Sequence, residues 1–175
     1  LGFGTIGRRV AELAHAFGMK VIAASARKSA AELSASSAPV SFPVEFVEMD
    51  ELFRASDVLS LHCPLTDQTR AIVNAANIAS MKDGAYLINP ARGALVDLDA
   101  VAEALTSGKL AGAAMDAFEV EPLPLDSPIL KCENIVLTQH TGAETKESYY
   151  NVSMTTARDI IKVIKGEEPE HCVNK

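Results

Sequence analysis

The 175-residue sequence predicts a doubly wound α/β domain of the Rossmann type, built on a parallel sheet. Three observations lead there. Gly2-x-Gly4-x-x-Gly7 stands directly before a helical pattern, short apolar runs then alternate with helix-length segments, and the joins between them are short. Parallel neighbours need helix-length crossovers, so helices are expected on both faces of the sheet.

Taken in order, Ile6, Val10, Leu13, Ala14 and Phe17 recur at three- and four-residue spacing, a helix that Gly18 ends. Val21-Ile22-Ala23-Ala24 reads as a strand, and the polar, alanine-rich segment from Ser25 to Ser37 has room for a second helix. Glu45-Phe46-Val47 reads as a weak strand, Asp50 to Ala55 as a short helix, and Asp57 to His62 as a strand that stops before Pro64. Asn74 caps a helix through Met81, followed by the buried strand Ala85-Tyr86-Leu87-Ile88. Asp97 caps a helix through Thr106, with Asp99 in the first turn, where the helix dipole favours negative charge. Ala111 to Met115 and Ile135-Val136-Leu137 complete the strands, on either side of a loop in which Pro122, Pro124 and Pro128 fix φ. A last helix is expected from Glu144 to Lys165, then a polar tail. The glycine pattern normally follows a buried strand of which only the last residue or so is present, so an N-terminal truncation is expected, with the first strand of the nucleotide-binding domain (1–143) largely missing.

Composition narrows the partners. A 48% hydrophobic and 22% charged balance suits one sizeable core, and a net charge of −7 without any Lys/Arg-rich run repels a phosphate backbone, which excludes nucleic acid. Every apolar run is shorter than the roughly 20 residues of a membrane helix, and no leader pattern is visible, so a soluble cytoplasmic protein with no membrane partner is expected. Cys63, Cys132 and Cys172 are odd in number and far apart, as reduced thiols are. His15, His62, His140 and His171 lack metal-ligand spacing, so no metal is expected.

The glycine triplet has a direct physical use. Gly2, Gly4 and Gly7 allow a tight turn and a close backbone approach to a pyrophosphate, which sits on the free N–H groups and positive end of the helix dipole. Such triplets also occur as plain turns; the helix and strand that follow favour dinucleotide binding. At the end of the second strand, where an NAD-binding unit usually carries an acid for the ribose hydroxyls, Ser25 stands instead, with Arg27 and Lys28 just beyond. Loss of the carboxylate and gain of two cations point toward NADP over NAD, the plainer reading being two solvated loop charges.

Five segments in order resemble the D-isomer-specific 2-hydroxyacid dehydrogenases: the glycine segment with its helix and Phe17 to Ile22, His62-Cys63-Pro64-Leu65-Thr66, Leu87 to Gly93 with Val96-Asp97, Asp116 to Pro122, and Thr138 to Gly142. The resemblance implies hydride transfer between NAD(P)H and the C2 of a small 2-keto acid or D-2-hydroxy acid, in a homodimer. It assigns Arg92 to the substrate carboxylate, His140 to acid/base work at the C2 oxygen, and Glu121 to the histidine. That chemistry needs these residue types: a planar fork for a carboxylate, and a carboxylate beside a ring whose protonated form it favours. Glu119 is a nearby rival for the acid, and the family pattern selects Glu121. Asp116 is implied to accept from the nicotinamide carboxamide, Thr5 and Ile6 to present N–H groups to the pyrophosphate, and Cys63, Pro64, Pro90, Ala91 and Gly142 to complete the cofactor groove, with Cys63 as wall and not nucleophile. Gln139 departs from the proline the family often has beside the histidine. The resemblance also implies a substrate domain, built mainly from an N-terminal segment not present here, to which the C-terminal helix and tail (144–175) are expected to return. The same motifs occur in dinucleotide-sensing corepressors, a binding-module alternative that a compact acidic tail disfavours. A formate-type dehydrogenase would carry a different partner for the histidine.

Overall fold

The computed structural model describes residues 1–172 as two compact units, Leu1–His140 and a second from Thr141 onward. The first contains α1 (Thr5–Ala16), β1 (Ile22–Ala23), α2 (Ala30–Ser36), β2 (Glu45–Phe46), α3 (Met49–Ala55), β3 (Val58–Ser60), α4 (Ala75–Ser80), β4 (Ala85–Asn89), α5 (Leu98–Ser107), β5 (Leu110–Met115) and β6 (Ile135–Leu137). Two 3-10 turns, Gly93–Leu95 and Pro128–Lys131, have no counterpart in the sequence reading. The second unit is α6 (Lys146–Ile164), capped by the Thr145 hydroxyl, and a tail that folds back so that the Glu170 and His171 N–H groups donate to Asp159.

Local chemistry explains the helix limits. The Ser29 hydroxyl accepts from the Glu32 N–H while the Glu32 carboxylate accepts from the Ser29 N–H, a reciprocal box that starts α2. Asn74 accepts from Asn77 N–H at 3.1 Å, and Asp97 from Ala100 N–H at 3.2 Å. Gly108, at φ 78°, takes the left-handed turn that ends α5.

Every strand pairing is parallel. β1 pairs with β2, and β3-β4-β5-β6 form a four-stranded sheet in that order. Leu1 and Gly2 run between the two groups: the Leu1 nitrogen donates to Ser60 O, the Leu1 carbonyl accepts from His62 N–H (both 2.7 Å), and Gly2 N–H donates to Ala24 O at 2.9 Å. The lateral order is therefore β2-β1-(Leu1–Gly2)-β3-β4-β5-β6, with the reversal of winding at the glycine loop. A groove of about 480 Å³ continues along this seam, lined by Val10, Ala14, Val21 and Leu59 among others.

The four-stranded sheet has one packed face. Leu59, Leu87 and Ala113 point into a core with Val101, Leu105 and Ile129, and each fully buried side chain of this size contributes about 1.5–3 kcal/mol. The opposite face presents Val58, Tyr86, Ile88 and Val136, which remain exposed although sequence periodicity leads one to expect helices on both faces. The reason lies in β4, whose residues alternate buried and exposed although Ala85 to Ile88 form one continuous apolar run, so composition alone cannot distinguish the covered face from the open one.

Candidate active site

Because the sheet is parallel, the chain leaves β4, β5 and β6 at one edge. Arg92 follows β4, Asp116 and Glu121 follow β5, and His140 follows β6. The last residues of these strands are in register: Asn89 opposite Met115, and Met115 opposite Leu137.

Asn89 shapes the turn that carries the arginine. It is fully buried, its Nδ2 donates to the Arg92 carbonyl at 2.8 Å, and its Oδ1 accepts from Ala91 N–H at 3.1 Å. The backbone around Pro90 and Ala91 is thereby closed over a single amide, which is why an otherwise costly buried polar group is tolerated. Arg92 itself is exposed, with Nη1 donating to Ala91 O at 2.8 Å. Asn89 also reaches β5, since its carbonyl accepts from Asp116 N–H at 3.0 Å. The Asp116 carboxylate is met by the Thr138 hydroxyl at 2.6 Å, tying the end of β5 to the end of β6.

Glu121 and His140 are brought together across 19 residues of chain. Nδ1 of His140 lies 3.0 Å from both Glu121 oxygens, and Oε1 also accepts from Phe118 N–H at 2.9 Å. A carboxylate only accepts, so Nδ1 carries the proton and Nε2 is the nitrogen left to exchange one. The Phe118 N–H and then His140 hold the Glu121 carboxyl below the usual carboxylate range, with Asp116 opposing from nearby. A depressed value means that the ionised form's contribution is fully present above the usual range and is lost as pH falls through the folded value. Glu121 is thus an anion throughout the neutral range. Glu119 instead pairs with Arg70 at 2.6 Å. His140 adopts φ 58°, a left-handed conformation rare outside glycine and characteristic of sites where geometry outranks backbone comfort.

The cofactor-type residues assemble at the other end of the same edge. Gly2, Gly4, Ser25, Arg27, Cys63 and Pro64 line one cavity of about 340 Å³, together with Arg8 and Lys28. Close backbone approach requires glycine at two positions, since a Cβ on Gly2 would meet His62 O at 2.6 Å and one on Gly7 would meet Gly2 O at 2.2 Å, whereas one on Gly4 would project into open space. Gly4 also begins α1 without any side-chain cap, leaving the N–H groups of Thr5 and Ile6 directed out of the helix. An open cradle bounded by bare backbone and helix N–H groups fits a pyrophosphate. The Ser25 hydroxyl accepts from Arg27 N–H at 3.2 Å and no carboxylate lines the cavity. Lys28 is engaged with Ser36 at 2.7 Å, while the Arg8 guanidinium lies 6.0 Å from the Phe3 ring centroid. Burial pushes the Cys63 thiol up, opposite to the shift a nucleophile needs, and holds His62 down to about 4, so His62 is uncharged at neutral pH. The buried Thr69 hydroxyl braces this wall by donating to Pro64 O at 2.8 Å and accepting from Thr66 N–H.

The first unit therefore groups the glycine loop with Ser25, Arg27, Cys63 and Pro64, and separately groups Pro90, Ala91, Arg92, Asp116, Glu121 and His140 around the ends of β4 to β6. Gly142 belongs to the second unit. Sequence reasoning assigned no role to Asn89, Thr138, Thr69 or Arg8; a short polar residue ending a buried strand was the available signal for Asn89. Among the described residues, no group of three or more His, Cys, Asp or Glu side chains could hold a metal ion, and no helix is long and apolar enough to cross a membrane.

The chain is similar to proteins of one family. Residues 1–142 match the family model described as D-isomer specific 2-hydroxyacid dehydrogenase, NAD binding domain. The chain is 44% identical over 165 residues to a hydroxypyruvate reductase of Thermotoga maritima, covering 93% of this chain and 51% of that protein. It is 39% identical over 178 residues to a glyoxylate reductase of Aeropyrum pernix, covering 100% of this chain and 50% of that protein. Among solved structures, a D-lactate dehydrogenase from Aquifex aeolicus, complexed with NAD and lactic acid, superposes with a TM-score of 0.81 at 34% identity, over 95% of this chain and 52% of that one. The chain spans about half the length of the curated relatives it matches.

Removing the Asn89 amide tests the architecture of the arginine turn. Asn89→Ala leaves the Arg92 carbonyl and the Ala91 N–H without their buried partner and is expected to cost about 1–3 kcal/mol in a urea titration. An unchanged midpoint would show that the turn holds its shape without Asn89.

Proposed function

The chain belongs to the D-isomer-specific 2-hydroxyacid dehydrogenase family, through its NAD-binding domain, and from that premise we propose that the whole protein interconverts a small 2-keto acid and the D-2-hydroxy acid. The observation that carries the reading is the Glu121–His140 pair at the edge where Arg92 also emerges. Arg92 clamps the substrate carboxylate with two parallel hydrogen bonds, and His140 Nε2 donates the proton that converts the C2 oxygen to a hydroxyl. When bound, a reduced nicotinamide supplies the hydride to C2. Glu121 remains ionised throughout, keeps Nδ1 protonated and stabilises the ring before its proton is given up. In the oxidising direction Nε2 accepts the proton from the hydroxyl. In this reading Asp116, tied to the Thr138 hydroxyl and to the Asn89 carbonyl, accepts from the carboxamide.

The segment 144–175, of which 173–175 lie outside the described residues, belongs in this reading with a substrate domain formed elsewhere in the whole protein. The names of the relatives, hydroxypyruvate reductase and glyoxylate reductase, support a short polar 2-keto acid. Assembly as a homodimer and a cytoplasmic location complete the reading. Turnover of a panel of 2-keto acids by the whole protein tests it. Arg92→Lys keeps the charge and loses the fork, and should lower kcat/KM for the preferred acid by about 100-fold. Near-normal kcat/KM would remove Arg92 from the substrate.

The cofactor preference rests on the cavity beside the glycine loop, where Ser25 and Arg27 stand without an acid. NADPH is expected to serve at least as well as NADH. Arg27→Ala should weaken NADPH binding by about tenfold and leave NADH alone, and Ser25→Asp should turn the preference toward NADH. Native preference for NADH that Arg27→Ala leaves unaltered would reduce Arg27 to a solvated loop charge.

A further inference from the structure

We propose that Gly93 is a positioning residue for the acid/base pair: its bare Cα lets the Phe118–Glu119 peptide rest on the arginine-bearing segment, and that contact sets where Glu121 holds His140. The inference rests on the reading of Glu121 and His140 as the acid/base device.

The contact is backbone against backbone. A Cβ on Gly93 would lie 2.1 Å from Phe118 C, 2.2 Å from Glu119 N and 2.4 Å from Phe118 Cα. None of these atoms is the end of a flexible side chain, so any larger residue must drive the peptide well over an ångström away to reach ordinary van der Waals separation. The displacement is transmitted. Phe118 N–H donates to Glu121 Oε1 at 2.9 Å, closing the turn from 118 to 121, and both Glu121 oxygens lie 3.0 Å from His140 Nδ1. Moving the peptide at 118–119 therefore pulls on the carboxylate that orients the ring.

A second tie runs between the same two segments. Ala71 N–H donates to Ala94 O at 2.9 Å, and the adjacent Arg70 reaches across to Glu119 Oε1 at 2.6 Å. The loop bearing Glu121 is thus held to the Gly93–Ala94 segment directly through Gly93 and indirectly through Arg70. Besides His140, the charged group that bears on Glu121 is Asp116, whose carboxylate opposes it, while the Arg70–Glu119 ion pair joins Glu119 to the segment at Arg70. Arg70 and Glu119 are both more than half exposed, so this tie is the weaker. The segment that carries Arg92 and the loop that carries Glu121 are consequently spaced chiefly by the Gly93 contact.

The test uses the whole protein as Gly93→Ala, Arg70→Ala, Glu121→Gln and the double variant Gly93→Ala/Glu121→Gln. Two quantities are measured: kcat/KM for 2-keto acid reduction against pH, and the Kd of the reduced cofactor by fluorescence titration. Glu121→Gln removes the charge that favours the protonated ring, so its alkaline limb moves to lower pH. Gly93→Ala should lower kcat/KM by about 100-fold, move the limb in the same sense, and leave the cofactor Kd within about twofold. Arg70→Ala should act in the same direction with a loss of about threefold. The double variant should move the limb no further than Glu121→Gln alone, because both changes act on one coupling. A wild-type limb in Gly93→Ala with intact cofactor binding, while Glu121→Gln is shifted, overturns the positioning role and leaves the pair standing. A wild-type limb in Glu121→Gln overturns both. Should Gly93→Ala fail to bind cofactor through misfolding, Arg70→Ala decides: a shifted limb supports the proposal and an unshifted one defeats it.

Discussion

The in-register ends of β4, β5 and β6 are the constraint from which the rest follows. Asn89, Met115 and Leu137 lie side by side, and the residues just beyond them are Arg92, Asp116 with Glu121, and His140. A slip of one residue in any of these strands would send Leu87, Ala113 or Ile135 to the wrong face, so the register is fixed by burial. Hydrophobic packing several ångströms below the edge thereby decides where the polar groups emerge. The polar groups then add only short-range adjustments: Asn89 to the Arg92 turn, Thr138 to Asp116, and Phe118 N–H to Glu121.

This division of labour explains why so exposed a pair keeps a defined geometry. The His140 and Glu121 side chains retain 44% and 41% of their exposure, and an ion pair in that setting contributes little to stability. The two side chains are held by what surrounds them: a backbone N–H on one carboxylate oxygen, and a left-handed backbone beneath the histidine.

Much of this was legible in the sequence, for identifiable reasons. Helix periodicity and caps at Asn74 and Asp97 located elements because those signals are local, and the glycine triplet announced α1 because bare backbone is a local requirement. The choice of Glu121 over Glu119 came from the family's spacing, whereas the structure separates them by partners: Glu121 meets His140 and Glu119 meets Arg70. Long-range contacts stayed hidden. Nothing in the string announces that Gly93 touches Phe118, that Asn89 folds back on Arg92, or that Arg8 shares a cavity with Ser25, because each depends on how loops from different strands meet. The uncovered face with Tyr86 and Ile88 was equally invisible, since an apolar run reads the same whether one face or both are packed.

The most direct test of the central claim, that the edge separates proton chemistry at His140 from cofactor binding at the glycine loop, is His140→Ala in the whole protein, with turnover and cofactor affinity measured on the same preparation. Under the proposed function the ring is the proton donor, and His140 is not among the residues that line the glycine cradle. Turnover of the 2-keto acid is therefore expected to fall by about 10³-fold or more, while the Kd for reduced cofactor stays within about twofold. Substantial turnover in His140→Ala, with the wild-type pH profile retained, would contradict the account.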